Sequence, residues 1–180
     1  PVDLEFPIPW HADFKAKYTW PNKFFRDIDI LNRGFPSDVK VPWELSRLQW
    51  AIPIGQAYSL SNDEKYAFFI KKIIIDWIEN NPYAIGVNWA VAMEPAMRVF
   101  SWTWFFHIFK NSEAWNDINF KFLFLRSIYE HGIFIERYIE DYGVNGNHCV
   151  ADAAALVFIG LFFGNGKISE RWSTLGWEVL

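Results

Sequence analysis

The sequence has a single cysteine, Cys149, so it can form no intrachain disulfide and carries no CxxC metal pattern. It also has no block of lysine or arginine, and its formal net charge of -4 gives no reason to expect a nucleic-acid partner. Its longest apolar run, near residues 153–163, is too short to span a bilayer. No two of the 4 histidines have the spacing of a zinc-protease motif, so we expect neither a metal nor a cofactor.

A leader sequence is also lacking. No basic and apolar segment with a small-residue cleavage site stands at the front, so any signal peptide has been removed or never existed. The chain opens on Pro1 rather than on methionine, and Leu180 lies inside a helix-like pattern that begins at Ser169. We therefore interpret the sequence as a part of a longer protein.

Aromatic residues, by contrast, are abundant. They make up 20% of the chain, with 11 tryptophans and 18 phenylalanines, which is more than a small core needs. Because indole and phenol rings also stack on the apolar faces of sugar rings, this composition suits a carbohydrate ligand, although core packing explains most of the rings. The hydrophobic share of 52% is ample for one globular domain of 180 residues.

Prolines and scattered aromatics mark the start of the chain, where no clear periodicity is present. This pattern predicts an extended strap over residues 1–40, laid against a core, with a short helix at about 22–32 as an alternative. From Pro42, a residue favoured at the first helical position, the pattern becomes helical and stays so over residues 41–180. Pro53 is expected to kink or end the first of these helices.

The spacing of apolar residues predicts five further helices. They cover about residues 65–80, 89–109, 116–142, 149–163 and from 168 onward. Asn88 is the expected cap of the second of them, which Pro95 interrupts. No stretch alternates with period two, so the chain is predicted to be all-α.

The helices also differ in character, since very apolar ones alternate with amphipathic ones. Short loops make successive helices antiparallel neighbours, and the alternation predicts two concentric helical layers. This is the arrangement of an (α/α) toroid. A closed toroid of about a dozen helices needs on the order of 250 to 300 residues, so the chain is expected to form an incomplete toroid, as one segment of a larger catalytic domain.

The polar turn of residues 143–148 leads directly into the most apolar of these helices. A helix N-terminus offers unpaired backbone NH groups, here beside Asn147 and His148, and so favours a negatively charged group. The simpler alternative is that Asn147 is only an N-cap and His148 only a histidine at a helix end.

Three short motifs in a fixed order connect this turn to the earlier helices. They are Trp43-Glu44-Leu45-Ser46-Arg47, then Asn88-Trp89 followed by Met93-Glu94 and Arg98, and finally Asn147-His148. Together they make the chain, from about Trp10 to Leu180, resemble the N-terminal toroid of the heparinase II/III and alginate lyase superfamily of polysaccharide lyases. Each motif alone is weak, but their order and spacing together are fairly specific.

The resemblance implies β-elimination across a uronic acid of an anionic polysaccharide, heparin- or heparan-like or alginate-like. Asn147 matches the family's asparagine, which donates to the substrate carboxylate, and His148 matches the adjacent histidine, a hydrogen-bond donor or base at the cleavage site. The family's catalytic tyrosine lies beyond Leu180, and a further histidine comes from a C-terminal β-sandwich that is missing here. We therefore expect no lyase activity from this chain alone, and the resemblance favours a bacterial periplasmic or secreted protein.

Six other residues are candidates for substrate binding: Trp43, Asn88, Trp89, Glu94, Arg98 and His11. Glu94 and Arg98 have the i, i+4 spacing of an intrahelical ion pair. Alternatively, Asn88 and Trp89 lie near a substrate groove at the mouth of an inner helix, with Arg98 or Glu94 behind them. His11 either closes over this groove or lies at the surface. Glu44 and Arg47 are expected to be structural and to pair with this cluster.

Two other functions remain open. The toroid of a non-catalytic protein could hold acidic polysaccharide without cleaving it, as in capsule or exopolysaccharide biosynthesis. A glycoside hydrolase could use the acidic residues Glu140, Asp141 and Asp152. Adjacent residues on a helix point in different directions, however, so Glu140 and Asp141 do not make an obvious catalytic pair.

Overall fold

The computed structural model describes residues 5–31, 37–143 and 146–180. Within residues 5–31, strand β1 (Ala12–Asp13) pairs antiparallel with β2 (Tyr18–Thr19), and a 3-10 turn follows at Phe25–Asp27. This turn is the only helical structure in the described part of residues 22–32, so the short helix expected there is limited to three residues. The rest of the described segment consists of turns, bends and irregular backbone, and it carries buried side chains such as Trp10, which is 1% exposed.

Across the described residues, seven α-helices form the body of the molecule, which confirms the all-α prediction. They are α1 (Lys40–Ser46), α2 (Ile52–Ser61), α3 (Glu64–Asn80), α4 (Met93–Phe109), α5 (Ile118–Tyr138), α6 (Asn147–Phe163) and α7 (Lys167–Val179). Short 3-10 turns precede α2, α4 and α5 at Gln49–Ala51, Val87–Trp89 and Ala114–Asn116. Among the described residues, every helix is too short or too polar to traverse a lipid bilayer.

The two most apolar helices, α4 and α6, lie at the centre. α6 packs against α4, α5 and α7, while α4 also contacts α2 and α5. Glycines permit the close contact between α6 and α7, because a Cβ on Gly160 would lie 2.1 Å from the Ser173 hydroxyl and one on Gly176 would lie 2.5 Å from the Ala153 carbonyl oxygen. The outer helices α3, α5 and α7 turn one apolar face toward this centre.

Aspartates begin two of the outer helices. The carboxylate of Asp63 accepts from the backbone NH of Lys65, at the start of α3, and that of Asp117 accepts from the NH groups of Asn119 and Phe120, at the start of α5. Such caps satisfy backbone donors that have no partner within the helix. Both helices therefore begin at a position fixed by local sequence.

Three expectations about helix ends are corrected by the structure. Asn88 caps no helix; it lies in the turn Val87–Trp89, and α4 begins only at Met93, with no side-chain cap. Pro95 consequently lies in the first turn of α4 rather than interrupting it. Pro53 likewise lies in the first turn of α2, because the break before it comes at Leu48, whose left-handed backbone (φ 58°) ends the preceding segment.

Candidate functional site

Asn147 and His148 are the first two residues of α6, where the polar turn enters the apolar helix. Gly146 occupies the N-cap position in an extended conformation, and none of the described side chains caps the helix. The alternative that Asn147 is the N-cap is therefore wrong. Its side chain is exposed and makes no hydrogen bond to the described residues, so its amide is available to a ligand. Val144 and Asn145, which also belong to the predicted turn, lie outside the described residues.

The imidazole of His148 is held by Glu140, which follows α5. Nδ1 of His148 lies 3.1 Å from each carboxylate oxygen of Glu140, and the histidine side chain is 40% exposed. The same carboxylate accepts from the backbone NH of Met93, the first residue of α4, at 3.1 Å. Because a carboxylate only accepts, we infer that Nδ1 carries the proton and that Nε2 is left free. Glu140 thus joins the start of α4, the end of α5 and the start of α6.

A buried acid, Asp152, lies behind this corner, one turn into α6. Its Oδ2 accepts from the backbone NH of Glu140 at 3.0 Å, while Oδ1 has no partner among the described residues. Burial, with a smaller contribution from the charge of Glu140, raises the pKa of Asp152 to about 7. Since Asp152 has no exposed surface and Glu140 is occupied, the two do not face each other across an open cleft as glycosidase carboxylates do.

An open cleft of about 420 Å³ adjoins Glu140. It runs between the turn before α1, the segment before α4 and the end of α5. Its polar lining consists of Arg26, Arg137, Glu140 and the tyrosines 138 and 142, and its apolar lining of Phe25, Ile28, Ala90, Val91, Ala92, Phe134 and Ile139. The corner formed by Asn147, His148 and Glu140 therefore lies at the edge of a space large enough for sugar units.

A second group of candidates surrounds the turn Val87–Trp89. The amide of Asn88 donates to the backbone oxygen of Trp10 at 2.9 Å and to Oδ1 of Asn81 at 2.8 Å, and Asn88 has no exposed surface. Trp43 supports the same turn, since its indole NH donates to the carbonyl of Val87 at 2.8 Å. Trp89 is 1% exposed. These side chains hold the turn from inside, so a part in substrate binding stays a prediction and would be an indirect one.

His11 joins this group from the N-terminal segment. Its Nε2 lies 3.1 Å from the carbonyl oxygen of Asn80, and its ring packs so closely on Gly86 that a Cβ there would lie 2.4 Å from Cε1. Gly86 also has a φ of 87°, which favours glycine. Burial lowers the pKa of His11. The ring is partly buried rather than open at the surface, and its predicted role in closing over the groove is not tested here.

Glu94 and Arg98 do not form the predicted ion pair. Instead, Arg47 donates to both carboxylate oxygens of Glu94, from Nε to Oε2 at 2.9 Å and from Nη2 to Oε1 at 2.6 Å. It also forms an ion pair with Glu44. Arg47 thus pairs with this cluster as expected, whereas Glu44, whose side chain is 63% exposed, reaches it only through Arg47. The i, i+4 interpretation failed because a bidentate partner from α1 occupies Glu94 and leaves Arg98 to point into the core.

Arg98 lies among aromatic rings in the interior. Its guanidinium carbon is 4.5 Å from the centre of the Trp77 ring and 5.1 Å from that of Trp89, and Nε donates to Nε2 of His131 at 2.9 Å. Burial lowers the pKa of Arg98 to about 9. Burial, and then the charge of Arg98, holds the pKa of His131 well below its ordinary value, so this histidine stays neutral and accepts. With no exposed surface, Arg98 and Glu94 could influence a ligand only by positioning other groups.

The structure thus places the predicted site residues in two separate groups. Asn147 and His148 share an accessible corner, whereas the other six candidates support the turn before α4 or lie in the core. Sequence reasoning missed Glu140 as the partner of His148, and it missed Arg26 and Arg137 altogether. Across the described residues, no group of three or more histidine, cysteine or acidic side chains is arranged to hold a metal ion.

Comparison with known proteins identifies the class to which this arrangement belongs. The helices superpose on heparan sulfate lyase HepC from Pedobacter heparinus with a TM-score of 0.72 at 28% identity, covering 86% of this chain and 24% of that one. They also superpose on heparinase III with a TM-score of 0.66 at 25% identity, covering 84% of this chain and 23% of that one. The N-terminal domain of heparinase III is an α toroid, so the present helices form a segment of an (α/α) toroid, as predicted.

Sequence comparison shows to which family the chain belongs. The profile of the family described as Heparinase II/III N-terminus matches residues 8–180, and the chain belongs to that family. A heparin-sulfate lyase of Bacteroides stercoris is 30% identical over 193 residues, covering 94% of this chain and 28% of the relative. One of Bacteroides thetaiotaomicron is 32% identical over 178 residues, covering 88% and 25%. The chain thus spans about a quarter of the length of these relatives.

Proposed function

We propose that the chain is the N-terminal toroid part of a polysaccharide lyase that cleaves an anionic, uronate-containing glycan of the heparin or heparan type by β-elimination. In this proposal, the amide of Asn147 donates to the uronate carboxylate, beside His148, which Glu140 keeps in place. The observation that carries it is the free, exposed amide of Asn147 on the first turn of α6, beside a histidine whose Nδ1 is anchored to Glu140.

The chemistry explains why such a corner is needed. The proton at C5 of a uronate is too weakly acidic to remove until the neighbouring carboxylate is neutralised by hydrogen-bond donors aimed at the developing enediolate. The amide of Asn147 supplies donors without requiring a counterion, and the uncapped backbone NH groups of α6 add a favourable field for an anion. Nε2 of His148 faces away from Glu140, and with the proton on Nδ1 it is an acceptor that can take a proton or bond a sugar hydroxyl.

The names of the similar proteins support the substrate class. The two curated relatives are called heparin-sulfate lyases, and the solved structure is a heparan sulfate lyase. The proton transfer itself is assigned, in this proposal, to groups of the whole protein that the present residues do not supply, including those of a β-sandwich domain. The chain therefore contributes the part of the site that binds the carboxylate.

Binding to an immobilised heparan sulfate oligosaccharide tests the proposal. Replacement Asn147→Ala should weaken binding roughly tenfold, since a hydrogen bond to a charged group contributes about 1.5 kcal/mol. Because the replaced side chain is exposed and makes no hydrogen bond to the described residues, the unfolding midpoint should not change. A neutral dextran of equal length should bind neither protein.

Asn119→Ala provides the matched control. Asn119 is also an exposed asparagine in the first turn of a helix, but the start of α5 is already capped by the carboxylate of Asp117. Its replacement should leave glycan binding unchanged. Equal binding by both variants and the unmodified protein would refute the carboxylate corner. In the whole protein, Asn147→Ala should also lower the rate at which an ultraviolet-absorbing unsaturated uronate forms.

A further inference from the structure

The cleft beside Glu140 carries two positively charged side chains in a chain whose net charge is -4. Arg26 comes from the 3-10 turn near the N-terminus, and Arg137 comes from the last turn of α5. Both side chains are exposed and both line the cleft. Segments more than 100 residues apart in sequence thus bring two guanidinium groups to one space.

Within the described ranges, these two differ from the other arginines. Arg47, Arg126 and Arg171 each form an ion pair with a glutamate, and Arg98 is buried against His131. Neither Arg26 nor Arg137 has a carboxylate partner or a hydrogen bond among the described residues. Their NH groups therefore stay available, although Glu140 lines the same cleft, because its carboxylate is already bonded to Met93 and His148.

Aromatic rings position one of the two guanidinium groups. The carbon Cζ of Arg26 lies 5.0 Å from the centre of the Tyr138 ring and 5.7 Å from that of Phe25. A guanidinium held over a ring by a cation–π contact keeps its NH edge free for hydrogen bonds in its own plane. Tyr142, which is 81% exposed, adds a ring that can stack on a sugar face at the rim.

We infer that the Arg26–Arg137 cleft is a second anion subsite, which takes a sulfate or carboxylate group of a sugar unit adjacent to the one held at Asn147 and His148. The inference rests on the proposed function, since it places one glycan chain across both sites. Glu140 links them, as it bonds His148 and also lines the cleft. Guanidinium groups suit this ligand because they bind planar or tetrahedral oxyanions through two parallel NH groups.

The test compares Arg26→Gln, Arg137→Gln and the double variant with the unmodified 180-residue chain. Three glycans of equal length serve as probes: sulfated heparin, desulfated and N-acetylated heparin, which keeps only its carboxylates, and neutral dextran. Each single replacement should weaken binding of sulfated heparin roughly threefold to tenfold, the range between an exposed ion pair and a charged hydrogen bond. Arg126→Gln is the control, because it removes the same charge from α5 but lies outside the cleft and pairs with Glu130.

The two anionic probes separate the sources of the anion. Weakening for sulfated heparin alone assigns the subsite to sulfate, and weakening for both heparins assigns it to a uronate carboxylate. If the cleft variants bind both heparins as tightly as Arg126→Gln does, the subsite is refuted. If instead they weaken binding while Asn147→Ala does not, the subsite stands and the carboxylate corner of the proposed function is refuted. A chain that binds no anionic glycan overturns both.

Discussion

Nδ1 of His148 lies 3.1 Å from both carboxylate oxygens of Glu140, a residue whose own backbone NH donates to Asp152 at 3.0 Å. The exposed His148 is thereby linked through Glu140 to the buried acid Asp152, one turn further along α6. Because the Glu140 carboxylate also accepts from Met93 on α4, one side chain positions the site and joins the helices that form it. Changes at this residue should therefore affect stability as well as binding.

Replacement Glu140→Ala should lower the free energy of unfolding by about 1 to 2 kcal/mol, because it removes the acceptor of the Met93 NH and the partner of His148. Glu140→Gln keeps an acceptor oxygen and should cost less. Urea unfolding followed by tryptophan fluorescence measures both. Glu113→Ala is the control, since the side chain of that exposed glutamate makes no hydrogen bond or ion pair among the described residues. A Glu140→Ala protein as stable as Glu113→Ala would contradict the assigned role.

Asp152 should make the protein less stable as pH rises. Its pKa is raised from 3.8 to about 7 in the folded state, so between these values the unfolded chain is ionised while the native carboxyl remains protonated. Stability is lost as pH rises through this window and is constant above it. Asp152→Asn should therefore match the unmodified protein near pH 3.5 and exceed it at pH 8 by up to about 4 kcal/mol, at about 1.4 kcal/mol per pKa unit.

Urea unfolding of both proteins at pH 3.5, 5, 6.5 and 8 measures this difference. The asparagine amide oxygen can still accept from the NH of Glu140, so the replacement removes the charge and keeps the hydrogen bond. A constant offset between the two proteins at every pH would show that Asp152 titrates normally and would refute the prediction.

His131 should make the protein less stable as pH falls, which is opposite to the effect of Asp152. Its pKa is held below the ordinary value of 6.5 by burial and by Arg98, so below pH 6.5 the unfolded state takes up a proton that the native state refuses. Stability is then lost as pH falls, by up to about 1.4 kcal/mol per pH unit. In His131→Gln, which does not titrate, this loss should disappear between pH 6.5 and 5. If the free energy of unfolding of the two proteins changes with pH in parallel, the lowered pKa of His131 is refuted.

These two groups offset each other as pH falls below about 6.5, because lowering the pH relieves the cost at Asp152 and adds one at His131. The unmodified protein should therefore show a flatter stability profile in this range than either single variant. Both effects become visible only in the variants, which is why each is compared with the unmodified chain at matched pH.

Local signals in the sequence predicted most of the helical architecture. Apolar spacing placed α3, α6 and α7 within about two residues of their observed bounds, since these helices begin at local breaks such as the cap Asp63 or the glycines of residues 164–166. The same spacing placed α5 less well, because the predicted range continued to 142 while the helix ends at Tyr138. The polar turn before the apolar run predicted that Asn147 and His148 lie at the start of α6, and their part in a site stays a prediction.

Long-range partners account for what the sequence could not predict. Asn88 was expected to cap a helix, yet its amide bonds Trp10, 78 residues earlier. Glu94 was expected to pair with Arg98, yet Arg47 reaches it from 47 residues away with better geometry. Spacing along a helix shows which partners are near in sequence and carries no information on a competitor from another helix. Glu140, whose partner Met93 is 47 residues distant, was missed for the same reason.

The ion pair Arg47–Glu94 tests how much a partner distant in sequence contributes to the stability of the fold. Glu94 has no exposed surface and the Arg47 side chain is 12% exposed, so Arg47→Ala leaves a buried carboxylate without its partner. A broken buried ion pair costs roughly 3 to 5 kcal/mol, and we expect about 3 kcal/mol here. Arg126→Ala breaks the exposed pair with Glu130 and should cost less than about 1 kcal/mol.

The double variant Arg47→Met, Glu94→Met should regain most of the stability that Arg47→Ala loses, because replacing a buried pair by apolar side chains is often nearly neutral. Recovery should stay incomplete, since Glu94 also supports the positive charge of the buried Arg98. Urea unfolding of these variants, with the single variants Arg47→Met and Glu94→Met completing the cycle, gives the coupling energy. If Arg47→Ala lowers the free energy of unfolding no more than Arg126→Ala does, solvent already compensates the charge of Glu94. The pair would then contribute no more to stability than a surface ion pair.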